Sequence, residues 1–93
     1  MPYIARSRRE SFLPLLKLIG ETRIDAAGEL NFLIVKLMDR YLSQHGECYR
    51  IMNEAMGAAN CAGLEFYRRK VVVLEEAKMA ENGDVFGAPG ATE

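Results

Sequence analysis

Two clusters of basic and aromatic side chains carry the strongest chemical signal in this sequence. One cluster lies near the start of the chain and the other lies in its last third. Their members are Tyr3, Arg6, Arg8, Arg9, Tyr67, Arg68, Arg69 and Lys70. Arginine guanidinium groups match phosphate oxygens, and tyrosine rings stack on bases. If the two clusters converge, they predict a binding site for a small phosphate-bearing nucleotide.

A plainer interpretation of the same clusters stays open. Glu65 lies three residues before Arg68 and four before Arg69, so local ion pairs on a helix would account for them. Glu10 is spaced to neutralise Arg6 in the same way. Under this interpretation the arginines form a solvated helix face.

The acidic residues near the C-terminus suggest an enzyme as an alternative. All-α nucleotide pyrophosphohydrolases hold magnesium with carboxylates from two helices, and the acidic run here is Glu75, Glu76, Glu81 and Asp84. A second carboxylate pair is missing, because Glu29 and Asp39 are ten residues apart rather than one helical turn. With His45 as the one histidine, we expect no catalytic residue, no metal site and no cofactor.

Composition limits the classes of partner. The chain has 93 residues, of which 49% are hydrophobic and 27% charged, which is typical of one globular domain. Its net charge of -1 argues against a duplex nucleic acid as partner. No apolar run approaches the roughly 18 residues that span a bilayer, so no membrane partner is expected. Without a recognisable export signal, we expect a cytoplasmic protein.

Hydrophobic periodicity predicts an all-α fold of three helices. The first is kinked: a capping box from Ser7 to Glu10 opens it, Pro14 interrupts it, and Gly20 ends it. The second begins at an Asp25 N-cap and closes at residues 43–46. Its apolar residues extend beyond one stripe, which predicts a central helix that is buried on more than one side.

The third predicted helix is the longest, from about Glu47 to Ala80. Asn82 and Gly83 predict a left-handed C-cap, and Val85 and Phe86 are expected to fold back as an anchor. We therefore expect one helical domain over residues 1–86 and a flexible tail over 87–93.

The length of the third helix predicts a homo-oligomer. About 34 residues give a rod of about 50 Å, whereas a compact domain of this size is about 30 Å across. A second copy would cover the overhang, and small residues would let its backbone approach. The expected interface residues are Gly57, Ala59, Gly63, Val71, Val73 and Leu74. The alternative is a monomer in which the helix breaks at Gly57 or Gly63.

Four segments carry a resemblance to a known family: MPYI, GELNFLIVKL, LEFYRR and ENGDVF. In this order they resemble a family of short uncharacterised proteins of bacteria and their phages, over most of residues 1–86. The resemblance supplies no activity. It departs after LEFYRR, where Val72-Val73-Leu74-Glu75 replaces a proline-tyrosine-acidic stretch.

Three function classes follow. The first is a non-enzymatic, homo-oligomeric helical binding protein, in the form of a phage-type anti-defence protein that sequesters a nucleotide signal between subunits. The second is a protein-interaction adaptor or inhibitor. The third is the magnesium-dependent nucleotide pyrophosphohydrolase.

Overall fold

The computed structural model describes residues 1–87, and every regular element in that range is helical. The all-α class is therefore confirmed, while the predicted tail lies outside the described residues except for Gly87. The elements are α1 (Arg6–Glu10), α2 (Leu13–Glu21), α3 (Ala27–His45), α4 (Tyr49–Phe66), a π-helical segment (Tyr67–Val71, called the π segment) and α5 (Val72–Asn82).

The first predicted helix is divided into α1 and α2 by a turn at residues 11–12. Pro14 lies in the first turn of α2, where its missing N–H is not needed. The predicted capping box is absent, because α1 starts after Ala5 and Ser7 lies inside it without a capping bond. The prediction that Gly20 ends the helix is also wrong: Gly20 lies within α2. One glycine costs only about 1 kcal/mol in a helix and does not by itself stop it.

α3 begins one residue later than its sequence suggests. Ala26 occupies the cap position, so the prediction of Asp25 as N-cap is wrong. The Asp25 backbone N–H instead donates to the Glu29 carboxylate at 2.7 Å, so the side chain of the third helical residue reaches back to the residue before the cap. α3 ends at Gly46, whose φ of 98° favours glycine.

α4, the π segment and α5 form one continuous rod, called the long helix, with a length of about 50 Å. Gly57 and Gly63 lie inside it, so the break considered as an alternative is not present. At its C-terminal end Gly83 has φ 93° and ψ 155°, which is not the left-handed helical conformation predicted for the cap. The predicted anchor is also absent, since Val85 and Phe86 are 86% and 81% exposed and nothing covers them.

Among residues 1–87, close packing between helices that are separate in the fold is confined to the hairpin of α3 and α4. Among the described residues only Ile51 and Ala55 are buried, and both face α3 from α4. The prediction of a central α3 is wrong for the single chain, because Phe32 and Val35 are 61% and 53% exposed. Their exposure follows from the packing: α4 covers one side of α3 and no other helix packs against it closely.

The single chain is much more open than a folded domain of its size. Its accessible surface is 8345 Å², whereas a compact protein of 10.4 kDa has about 5,400 Å². The radius of gyration is 18.4 Å, against about 12 Å for a compact chain of this length. Many large apolar side chains are exposed among the described residues, on α2, α3, α4 and α5.

Candidate binding site

The π segment interrupts the α-helical hydrogen bonding at the basic cluster. The Val72 N–H donates to the Tyr67 carbonyl, five residues back, so one extra residue is inserted into the rod. Arg68, Arg69 and Lys70 are consecutive there, and neighbouring residues on a helix do not face the same way. Arg68 and Arg69 nevertheless both reach the neighbouring Tyr3 and Glu65 side chains, and among residues 1–87 Lys70 forms no bond to that pair.

Glu65 engages one of these cations directly. Arg68 donates from Nε and Nη2 to the two Glu65 carboxylate oxygens, both at 2.8 Å, which is a bidentate ion pair. These bonds, together with one from Tyr3, hold the pKa of the Glu65 carboxyl at about 2. The pKa of Arg68 is raised by the same pair. The ion-pair interpretation of the sequence therefore holds for Arg68, whose charge is largely matched.

Tyr3 brings the start of the chain to this cluster. Its hydroxyl donates to the Glu65 carboxylate and accepts a hydrogen bond from Arg69 Nη1 at 3.4 Å. The two predicted clusters thus converge in part, through residues more than sixty positions apart. Tyr3 remains 50% exposed, so one side of it is free to contact a ligand or another chain.

Two arginines of the first cluster, Arg8 and Arg9, have local partners. Arg9 Nε donates to the Ile4 carbonyl at 2.8 Å, and the Arg8 guanidinium lies 5.5 Å from the centre of the Phe12 ring. No ion pair or hydrogen bond joins Arg6, Arg8 or Arg9 to the π segment within residues 1–87. Of the first cluster, Tyr3 alone reaches the second through such a bond.

Tyr67 lines a different hollow, formed by α5 and the residues that follow it. This hollow has a volume of about 510 Å³ and is lined by Tyr67, Val72, Glu75, Glu76, Lys78, Met79 and residues 82–86. Glu81 lies near Lys78 at 3.9 Å. No three acidic, histidine or cysteine side chains in the described part of the chain are grouped so that they could hold a metal ion. The pyrophosphohydrolase alternative gains no support from this arrangement.

A larger concave surface is an apolar groove along α3 and α4, called the hairpin groove. Its volume is about 770 Å³. Large apolar side chains of α3 form one wall, while small residues of α4 form the floor. The lining residues are Leu30, Ile34, Leu37, Met38, Tyr41, Glu54, Ala55, Ala58, Ala59, Ala62, Gly63 and Phe66. A floor of alanine and glycine allows a close approach by another helix.

A polar network closes one end of the hairpin groove. The Tyr41 hydroxyl donates to Glu54 Oε1 at 2.6 Å, and Arg50 Nη1 donates to Glu54 Oε2 at 3.0 Å. The bond from Tyr41 and the charge of Arg50 hold the pKa of the Glu54 carboxyl below its usual range. The same bond raises the pKa of Tyr41. The network joins α3 to α4 and keeps their register.

The predicted interface residues divide between two places. Ala59 and Gly63 line the hairpin groove, whereas Gly57 does not. Val71 is half-buried, and Val73 and Leu74 are 64% and 59% exposed on the overhang of the long helix beyond α3. Their role in an interface stays a prediction.

Sequence reasoning missed two parts of the site. The four-residue spacing of Arg50 and Glu54 is a readable signal for their ion pair, but the bond from Tyr41 crosses the hairpin and depends on the fold. The π segment has no signal in composition or periodicity, since its residues differ little from those of an ordinary helix.

The chain belongs to a family described as a domain of unknown function (DUF6899), whose model matches residues 1–85. This agrees with the expected membership of an uncharacterised family. No curated protein and no solved structure shows a significant match to the chain. Within residues 1–87, none of the helices is both long and apolar enough for a membrane span.

Proposed function

We propose that the protein is a non-enzymatic helical binding protein that acts as a homo-oligomer. The observation that carries the proposal is the apolar surface left exposed by one chain. Large hydrophobic side chains are exposed on α2, α3, α4 and α5, and the accessible surface exceeds that of a compact chain by about 3,000 Å². Apolar surface on this scale marks an association site. Other copies of the same chain are the simplest partners that could pack against the long helix and bury this surface.

Gly63, on the floor of the hairpin groove, supports close packing between copies. A Cβ built on Gly63 meets no atom within 4 Å, so nothing in the described part of the chain requires glycine there. Each glycine costs about 1 kcal/mol relative to alanine inside a helix. Approach of another backbone would offset that cost.

The ligand that we propose for the assembly is a small phosphate-bearing molecule, held without turnover beside the π segment. Arg69 and Lys70 support this part, because neither forms an ion pair with an acidic residue in the described range, in contrast to Arg68. One chain supplies only these two cations for a clamp, and a second copy would complete it. A phage-type anti-defence protein that sequesters a nucleotide signal would be one instance of this class.

Light scattering on the purified full chain tests the assembly. We expect a mass that is a multiple of 10.4 kDa, together with bound small molecules that mass spectrometry identifies after denaturation. A strictly monomeric protein at micromolar concentration would overturn the proposal.

Thermal shift against a panel of cyclic and linear nucleotides tests the ligand. Arg69→Ala should abolish the stabilisation and leave the oligomer mass unchanged, while Arg23→Ala, which alters a distant exposed ion pair with Asp25, should retain it. Nucleotide recovered unchanged after incubation distinguishes sequestration from hydrolysis. If no nucleotide stabilises the protein, the ligand part of the proposal is wrong.

The overhang favours a second candidate, an adaptor or inhibitor that binds a different protein. Val73 and Leu74 lie on α5 beyond the reach of α3 and are more than half exposed. Hydrogen exchange on the purified assembly decides between the candidates. Protection of residues 71–74 in the assembly supports the homo-oligomer. Fast exchange there, with a host protein captured by the wild type but not by Leu74→Glu, supports the adaptor.

A further inference from the structure

Within residues 1–87, one helix and one groove each lack a partner, and their lengths are similar. α2 carries five large aliphatic side chains: Leu13, Leu15, Leu16, Leu18 and Ile19, all between 43% and 63% exposed. The hairpin groove is apolar and open, with walls such as Leu37 at 59% exposure. We propose that the hairpin groove receives α2 of a second copy, and that two copies exchange these helices reciprocally. This inference rests on the proposed homo-oligomer and names the contact that builds it.

The dimensions of the two parts agree. α2 has nine residues and is therefore about 13 Å long. The floor of the hairpin groove extends from Ala55 to Phe66 along α4, a distance of about 16 Å. The floor consists mainly of alanines and Gly63, whose side chains are short or absent. The leucines of α2 can therefore fill the groove between α3 and α4.

The chain's own contacts hold α2 outside its own groove. Tyr3 is bonded to Glu65, near the Phe66 end of the hairpin groove. α3 begins at the same end, because Leu30 and Phe66 line the groove together. Both ends of residues 4–26 are therefore held at one end of the hairpin, and α2 extends from there without packing on the groove. The arm formed by α1 and α2 can therefore reach a neighbouring copy.

The surface left exposed by one chain is large enough for an obligate homodimer. The excess of about 3,000 Å² over a compact chain amounts to about 6,000 Å² for two chains. If half of it is buried, the interface is about 3,000 Å², within the range of about 2,000–5,000 Å² for obligate homodimers. A two-fold axis makes the contact self-complementary, since each copy gives one helix and receives one.

Cysteine cross-linking in the full chain tests the contact. In a background with Cys48→Ser and Cys61→Ala, Leu15→Cys is placed on α2 and Ala59→Cys on the groove floor. Chains with normal and heavy nitrogen are mixed by co-refolding, so that mass spectrometry separates links between chains from links within one. We expect a link between cysteines 15 and 59 of different chains. Lys17→Cys paired with Ala59→Cys is the matched control, because position 17 lies on the opposite side of α2 and should cross-link at least tenfold less.

The outcomes separate this inference from the proposed function. A 15–59 link within one chain overturns the exchange, because α2 would then close its own groove. No link in a sample that light scattering shows to be oligomeric also overturns the exchange, but leaves the homo-oligomer standing. No link in a monomeric sample overturns both.

Discussion

The hairpin of α3 and α4 and the arm formed by α1 and α2 both carry apolar side chains. Among residues 1–87, only the hairpin packs some of them against another helix of the same chain. The hairpin brings Ile51 and Ala55 into contact with α3 and locks its register with the network around Glu54. The arm has no such contacts and is tied to the rest of the chain at Tyr3 and through its link to α3. An apolar stripe on a helix therefore indicates a face suited to burial, but it does not identify the chain that packs against it.

The largest expected effect comes from placing a charge on the arm. Leu15→Asp removes a leucine that we expect to be buried in the assembly, a loss of about 2–5 kcal/mol, and desolvation of the carboxylate adds to it. Light scattering should show the oligomer dissociating to a monomer. Lys17→Asp introduces the same side chain on the polar side of α2 and should leave the oligomer intact. Equal behaviour of the two variants would mean that the arm is exposed in the assembly, as it is in the single chain.

A smaller effect is expected from filling the floor of the hairpin groove. Gly63→Leu finds open space within its own chain, so the helix should remain folded. In the assembly the added side chain would occupy the space of the incoming helix. Overpacking costs about 1–3 kcal/mol, and every 1.4 kcal/mol is about tenfold in the dissociation constant.

Gly57→Leu is the matched control for that substitution. Gly57 is equally open in the chain but does not line the hairpin groove. Sedimentation over a concentration series should show weaker association for Gly63→Leu alone. If both substitutions weaken association equally, the interface includes other faces of the long helix and is not confined to the hairpin groove.

The smallest expected effect concerns the tie between the arm and the long helix. Because the folded pKa of Glu65, about 2, lies below its ordinary value, the carboxylate contributes stability that is present above the ordinary pKa. That contribution is lost as the pH falls through about 2. The tyrosine resonances of Tyr3 should therefore shift with a midpoint near pH 2.

Two variants check the cause of that midpoint. Tyr3→Phe removes one hydrogen bond but leaves the pair of Glu65 with Arg68, so the pKa of Glu65 should rise only part of the way to its usual value. Glu65→Gln should remove the titration altogether. A midpoint near the ordinary carboxyl pKa in the wild type would show that Tyr3 and Arg68 do not hold Glu65 in solution.

The sequence predicted the long helix well, because its three- and four-residue periodicity continues without proline across two glycines. It predicted the helix ends less well. Asp25 and Gly20 are common cap and stop residues, but the actual ends depend on neighbouring bonds such as that from the Asp25 N–H to Glu29. It did not predict the exposure of Phe32 and Val35. Hydrophobic periodicity indicates which residues are suited to burial, but it does not identify the helix or the chain that buries them.

The candidate site was predicted in part. The spacing of Glu65 and Arg68 predicted their ion pair, because residues three apart on a helix are neighbours. The contact of Tyr3 with Glu65 joins residues far apart in the chain, and only the fold brings them together. The hairpin groove was not predicted, because its shape depends on how α3 and α4 cross.

The π segment has a consequence for how the protein can be re-engineered. Because Tyr67–Val71 holds one residue more than regular α-helical winding needs, deleting a single residue there would restore normal winding without breaking the rod. Because the π segment absorbs its extra residue locally, the rod beyond such a deletion would keep nearly its present direction, whereas the same deletion in α4 would turn it by about 100° about the axis and move it by about 1.5 Å. Tyr67–Val71 is therefore the place where the rod can lose a residue while α5 still presents Val73 and Leu74 in nearly the same direction.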